Sequence, residues 1–248
     1  MLRKRLITVL TFNEGILFRT KVFNPDYRYT LNFVDAWSVD EVVVLDVTRT
    51  ADGDRENFYD VVRQFADRCF VPLTAGGGVR TIEDVRNFLR IGADKVIVNT
   101  QALRQPEFIT RCAKLFGAQC IVVSIDARKD QSGRYKVFSD FGTTATGWDP
   151  AAWAKKAQDL GAGEILITSI EKDGSLEGYD NQLNSMVAES VNIPVLVCGG
   201  AGKWQDFVNG FNIGKAQAVC TTNIYHFTET SIKSAKKYLK DAGILVRL

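Results

Sequence analysis

Histidine is nearly absent: 248 residues contain one, His226. With so little imidazole, a zinc or iron site would need clustered cysteines. The five present (Cys69, Cys112, Cys120, Cys198 and Cys220) are widely spaced and show no metal-ligand pattern. Neither a metal nor a cofactor is expected. The odd count also argues against a disulfide framework, so reduced thiols are expected. His226 stands between Tyr225 and Phe227, where packing at a helix entry is a simpler role than catalysis. A surplus of one charge is lacking too. Lys and Arg number 31 against 29 Asp and Glu, a net charge of +2, which gives no electrostatic case for nucleic acid or an anionic membrane. Long apolar runs are missing as well. The opening MLRKRLITVLTF imitates a signal peptide, but Asn13 and Glu14 interrupt it, and nothing reaches the ~18 residues of a membrane span. A cytoplasmic protein is expected.

What is present is a globular composition, 46% hydrophobic and 24% charged with only 5 prolines, able to bury a large core. Short β-branched runs alternate with helix-period segments throughout. Strands are expected at Leu6–Leu10, Glu41–Asp46, Val71–Ala75, Lys95–Asn99, Cys120–Asp126, Glu164–Ser169, Val195–Cys198 and Ala218–Thr222. Between them Glu56–Arg68, Ile82–Ile91, Pro106–Phe116, Pro150–Leu160 and Lys203–Ile213 carry apolar residues every three or four positions. Eight such units predict an α/β fold, a single (β/α)8 TIM barrel over 1–248, with a doubly wound open sheet as the alternative. An internal repeat points to half-barrels of about 1–118 and 119–248. VPLTAGGGVR at 71–80 aligns with PVLVCGGAGK at 194–203, and IGADKVIVNT at 91–100 with IGKAQAVCTT at 213–222.

The repeat predicts two similar anion sites facing each other across the barrel mouth, suited to a substrate with a phosphate at each end. Gly76, Gly77 and Gly78 follow the third strand, and Gly199, Gly200 and Gly202 follow the seventh. Glycine lets backbone N–H groups approach an oxyanion, and a following helix start adds partial positive charge. Either cluster alone could equally make a tight turn. Duplication, together with Asn99-Thr100 and Thr221-Thr222 at neighbouring strand ends, favours phosphate. Asp46 and Asp126 end the second and fifth strands, where barrel carboxylates reach the active-site mouth. Asp126 interrupts an apolar run and reads as functional; Asp46 reads equally as a loop anchor. Asp173, followed by Gly174, reads as a turn residue whose backbone joins an anion site. No nucleophile elbow with a matched triad is present, so the chain is not expected to hydrolyse glutamine.

Across nearly its whole length the chain resembles the cyclase subunit of imidazole glycerol phosphate synthase. The resemblance rests on MLRKR, LDVT, AGGGVR, GADKVIVNT, SIDAR, GAGEILITSIEKDGSLEGYD, CGGAGK and YLKDAGILVRL. The sixth of these is specific to that subunit rather than to the related sugar isomerase of the same pathway. The resemblance implies a separate glutaminase on the N-terminal barrel face and ammonia crossing the barrel interior. It also implies a ring of charges at the entrance, with Arg5, Glu41, Lys95 and Glu164 as counterparts; a purely stabilising layer of paired charges is the competing reading.

The resemblance implies two catalytic aspartates, ending the first and fifth strands. The second is Asp126, but Thr11 occupies the first position, and a hydroxyl does not titrate near neutrality. Loss of a general acid/base typically costs ~10²–10⁴-fold. The segment from Gly15 to Asp46, containing FNPDYRYT, is shorter than in the family and lacks its Gly-Asp-Pro entry. Phe18, Phe23, Tyr27 and Tyr29 make it aromatic. Such departures are similar to a paralogous branch in bacterial surface-polysaccharide pathways, where cyclase-like and glutaminase-like proteins supply ammonia to a third enzyme, an amidotransferase acting on an acetamido sugar. Three readings follow: that role, an ordinary histidine-pathway cyclase, or a non-catalytic scaffold activating the glutaminase.

Overall fold

The computed structural model describes residues 3–21, 24–26, 39–49, 55–221 and 232–247. Strand β1 (Arg5–Asn13) runs beyond the expected Leu10, and its end pairs antiparallel with β2 (Ile16–Lys21), which pairs with β3 (Asn24–Asp26). This ribbon has no strict apolar alternation and was not anticipated from the sequence. Next come β4 (Glu41–Asp46), α1 (Glu56–Arg68), β5 (Leu73–Gly76), α2 (Ile82–Arg90), β6 (Lys95–Val98), the short α3 (Thr100–Arg104) and α4 (Glu107–Phe116). The second half holds β7 (Ile121–Lys129), the hairpin partners β8 (Tyr135–Ser139) and β9 (Thr144–Ala145), α5 (Pro150–Asp159), β10 (Glu164–Ser169), α6 (Asn181–Ser190), β11 (Val195–Cys198), α7 (Trp204–Asn212), β12 (Ala218–Thr221) and α8 (Ile232–Asp241).

Eight strands, β1, β4, β5, β6, β7, β10, β11 and β12, pair in parallel in that order, and β12 returns to β1. The sheet is closed, which excludes the open doubly wound alternative and gives the expected (β/α)8 barrel. Closure follows from the period-two pattern. On β7, Ile121, Val123 and Ile125 pack outward in the main core, while Val122 belongs to the interior cluster. The helices complete the outer layer. Helix α2 starts at Thr81, whose side chain accepts from the Asp84 N–H in a capping box, and buries Val85 and Phe88. Helix α5 starts at Asp149 with Pro150 in its first turn and buries Trp153, Ala154 and Ala157.

The half-barrel repeat appears in backbone detail, with one correction. A shift of 122 residues superimposes β5 on β11 and carries Asp84 onto Asp206. The Asp84 carboxylate accepts from the N–H groups of Arg80 and Thr81, and the Asp206 carboxylate from those of Gly202 and Lys203. Left-handed Gly77 and Gly78 therefore correspond to left-handed Gly199 and Gly200, one residue away from the alignment made on letters alone. The letters misled because an extra glycine in one loop slides along the other.

Thr222, Tyr225, His226 and Phe227 lie outside the described residues, as do Phe23, Tyr27 and Tyr29. All five cysteines are free. Among the described residues no helix is long and apolar enough to cross a membrane.

Candidate functional site

At the N-terminal end of the barrel, β1, β4, β6 and β10 each begin with a charged residue: Arg5, Glu41, Lys95 and Glu164. They form a closed ring. Arg5 Nη1 lies 2.8 Å from Glu41 Oε2 and Arg5 Nη2 lies 2.8 Å from Glu164 Oε1. Lys95 Nζ completes the circuit at 3.0 Å from Glu41 and 2.9 Å from Glu164. Thr74 donates its hydroxyl to Glu41 Oε1 at 2.7 Å, so the most buried member, 1% exposed, is fully engaged. Burial alone would lower the Arg5 pKa; Glu164 and Glu41 outweigh it and hold the guanidinium above its ordinary value.

Above the ring the interior is apolar. Ile7, Val9, Val43, Ile97, Val122 and Leu166 form its wall with Leu196, Ala218 and Cys220, and Leu45 and Cys198 pack against them. The same strands then become polar towards their C-terminal ends, where a cavity of about 290 Å³ opens. Thr11, Asp46, Asn99, Ser124, Asp126, Thr168 and Asp173 all line it.

Asp126 is the chemical centre of this cavity. Its burial disfavours the carboxylate, the Asn99 amide opposes that by donating Nδ2 to Oδ2 at 2.8 Å, and nearby Asp173 raises the pKa further, to about 7 in all. A carboxyl balanced near neutrality can both give and take a proton. Asn99 Oδ1 is buried with no hydrogen-bond partner, an acceptor for a donor group on a bound molecule. Asp46 accepts from the Thr48 N–H at 3.0 Å, so it anchors its loop as well as lining the cavity. Asp173 is more than a turn residue: its N–H donates to Ser169 O at 3.0 Å, and its carboxyl acts electrostatically on Asp126.

Gly77, Gly78, Asn99 and Thr100 converge on the cavity. Gly174, Gly199, Gly200 and Thr221 do not line it; Thr221 is buried within β12. Both glycine pairs also have a packing reason. A Cβ on Gly77 would lie 2.0 Å from Asp46 O, and one on Gly200 would lie 2.2 Å from Gly178 O. The preceding strand's loop presses against each.

Among the cavity-lining residues that the sequence did not single out are Arg49, Arg80, Arg104 and Phe141. The arginines follow the second, third and fourth barrel strands, and position just past a strand end was a signal available for them. Phe141 is different. It reaches the mouth only because β8 and β9 fold back as a hairpin.

A closed β/α barrel with a near-neutral carboxyl in its C-terminal mouth has the layout of a barrel enzyme. Residues 8–231 match the family described as histidine biosynthesis protein. The chain belongs to that family.

Proposed function

We propose that the protein is a cyclase-like subunit that takes ammonia from a glutaminase partner through the barrel to a phosphate-bearing molecule in the mouth, in the service of amidinating a surface-polysaccharide sugar. The observation that carries this reading is the ion ring at one end of an apolar interior whose other end opens beside Asp126. A neutral amine crosses apolar surroundings at far lower cost than its charged form. Partner docking on this face is supported by Phe70 and Ile213, exposed in the connections that lead into β5 and β12, and by Leu245, exposed in the segment after α8 that lies beside Lys4 just before β1.

Thr11 lines the cavity together with Asp126, where the resemblance implies a second aspartate. The retained ring and the missing carboxyl together favour ammonia delivery over the family's ring closure, with the third amidotransferase as recipient. Membership of a histidine biosynthesis family and the near-neutral Asp126 favour a second reading, the histidine-pathway cyclase, which forms imidazole glycerol phosphate from its phosphoribulosyl aminoimidazole precursor and ammonia.

Purified protein supplied with that precursor and a high ammonium concentration separates the two. No turnover in the wild type, with a stable complex on mixing with a glutaminase partner, is expected on the first reading. Turnover at ordinary enzyme rates would overturn it. The Thr11→Asp variant then tests whether that position alone removed ring closure.

A further inference from the structure

The hairpin of β8 and β9 has an unusual tip. Asp140 and Phe141 are consecutive non-glycine residues in the left-handed region, at φ 50° and 60°, and Gly142 follows at 75°. A bulky aromatic side chain rarely adopts this conformation, and such strain persists where surroundings fix it. Here they do. The Asp140 N–H donates to Thr100 Oγ1 at 3.3 Å, Asp140 Oδ1 pairs with Arg104 at 2.9 Å, and Ser139 donates its hydroxyl to Asp140 Oδ2 at 2.8 Å. These ties hold the tip beside the end of β6 and leave the Phe141 ring 42% exposed on the cavity wall. The Arg49 guanidinium, from the loop after β4, lies 5.3 Å from the ring centroid. Arg80 lines the same cavity from the loop after β5.

An exposed aromatic ring held by strained backbone, with one guanidinium over it and a second lining the same cavity, matches a planar ring carrying adjacent negative charges. We propose that this rim is a subsite for a nucleoside diphosphate, its base stacked on Phe141 and its phosphates held by Arg49 and Arg80. The subsite shares its cavity with the glycine-loop positions Gly77 and Gly78 and with Asp126. It deepens the functional reading above, because it rests on a phosphate-bearing ligand entering this mouth and names the class: a nucleotide-linked molecule whose non-nucleotide end reaches towards Asp126.

The geometry explains why the tip is tied to Thr100 and Arg104. A stacking platform must keep its distance from the phosphate-holding arginines, and the contacts of Asp140 with Thr100 and Arg104 fix it. A hairpin serving only to cover the barrel would gain nothing from a strained, solvent-facing phenylalanine.

Calorimetric titration of the full-length protein with uridine diphosphate, inorganic pyrophosphate and ribose 5-phosphate tests this directly. Base stacking on an aromatic side chain gives a preference of about ten-fold or more for uridine diphosphate over pyrophosphate. Phe141→Asn keeps a residue that tolerates the left-handed backbone but removes the ring. It is expected to bring uridine diphosphate down to the affinity of pyrophosphate, while Arg49→Gln weakens both. Equal binding of the two by the wild type, or a preference that survives in Phe141→Asn, overturns the subsite. In that case continued binding of pyrophosphate or ribose 5-phosphate leaves the phosphate-binding mouth standing, whereas failure of all three probes to bind removes both readings together.

Discussion

Asn99 donates its Nδ2 to Asp126 Oδ2 at 2.8 Å, and this hydrogen bond works against the burial that otherwise drives the carboxyl towards its neutral form. Two neighbouring strand ends, β6 and β7, therefore set one proton affinity between them. Replacing Asn99 with Ala removes the donor and leaves burial and Asp173 unopposed, so the Asp126 pKa rises above about 7. Carboxyl chemical shifts followed through a pH titration measure this. A downward movement would show that Asn99 does not stabilise the ionised form.

The same shift links stability to pH. In the unfolded chain Asp126 ionises near the ordinary value of about 3.9, in the folded chain only near about 7. Between those values the folded state binds the extra proton. The stabilisation it gives is fully present below about pH 4 and is lost as pH rises through 7. At ~1.4 kcal/mol per pKa unit the loss is of order 4 kcal/mol. Asp126→Asn does not titrate, so it should gain stability relative to the wild type by about that amount between pH 4 and pH 8. Urea unfolding at both pH values measures it, and a constant difference would mean that Asp126 ionises normally in the fold.

The barrel was legible in the sequence because each of its strands is a short β-branched run and each expected helix has a regular apolar period. The helix expected at Glu56–Arg68 forms with those bounds. The ion ring was legible only through the family resemblance, since Arg5, Glu41, Lys95 and Glu164 are far apart in the chain and meet only when the sheet closes. The rim was not legible. Phe141 and Arg49 are brought together by a hairpin turn and a loop, neither of which has a periodic signal. The glycine clusters were read for their chemistry, but part of their cause is steric and lies in another loop.

That steric cause gives a prediction for Gly77. Its φ is 105°, and an added Cβ would sit 2.0 Å from the carbonyl oxygen of Asp46, a backbone atom that cannot swing away. Gly77→Ala is expected to destabilise the fold by more than the ~1 kcal/mol typical of a point change. Gly133, at φ 78° with open space around it, provides the control: its Ala variant carries only the backbone strain. Thermal unfolding of the two variants compares them, and equal losses would show that the Asp46 loop yields.

Glu41 is the member of the ring whose loss should matter most, because it meets Arg5, Lys95 and Thr74 at once and is 1% exposed. Glu41→Gln keeps the shape while removing the charge, leaving two cations to share Glu164. Breaking a buried ion network from one side costs about 3–5 kcal/mol, against ~0–1 kcal/mol for a surface pair such as Lys155 and Asp159. Chemical denaturation of Glu41→Gln and Asp159→Asn separates these scales. If both variants lose the same small amount, the ring is not a buried network.

The N-terminal face offers the last test. Phe70 is 85% exposed and Leu245 61%; Phe70 lies in the connection that enters β5, and Leu245 in the segment after α8 that pairs with Lys4 just before β1. Large apolar side chains in such positions contribute little to the barrel and most to whatever covers them. Phe70→Glu and Leu245→Lys should leave thermal stability of the isolated protein almost unchanged, within about 0.5 kcal/mol. Each should weaken association with the glutaminase, because a charge would then be buried without a partner. Size-exclusion chromatography of the mixed proteins, followed by titration calorimetry, reads the effect. Undiminished association of both variants would place the partner elsewhere on the barrel and detach the ring from ammonia entry.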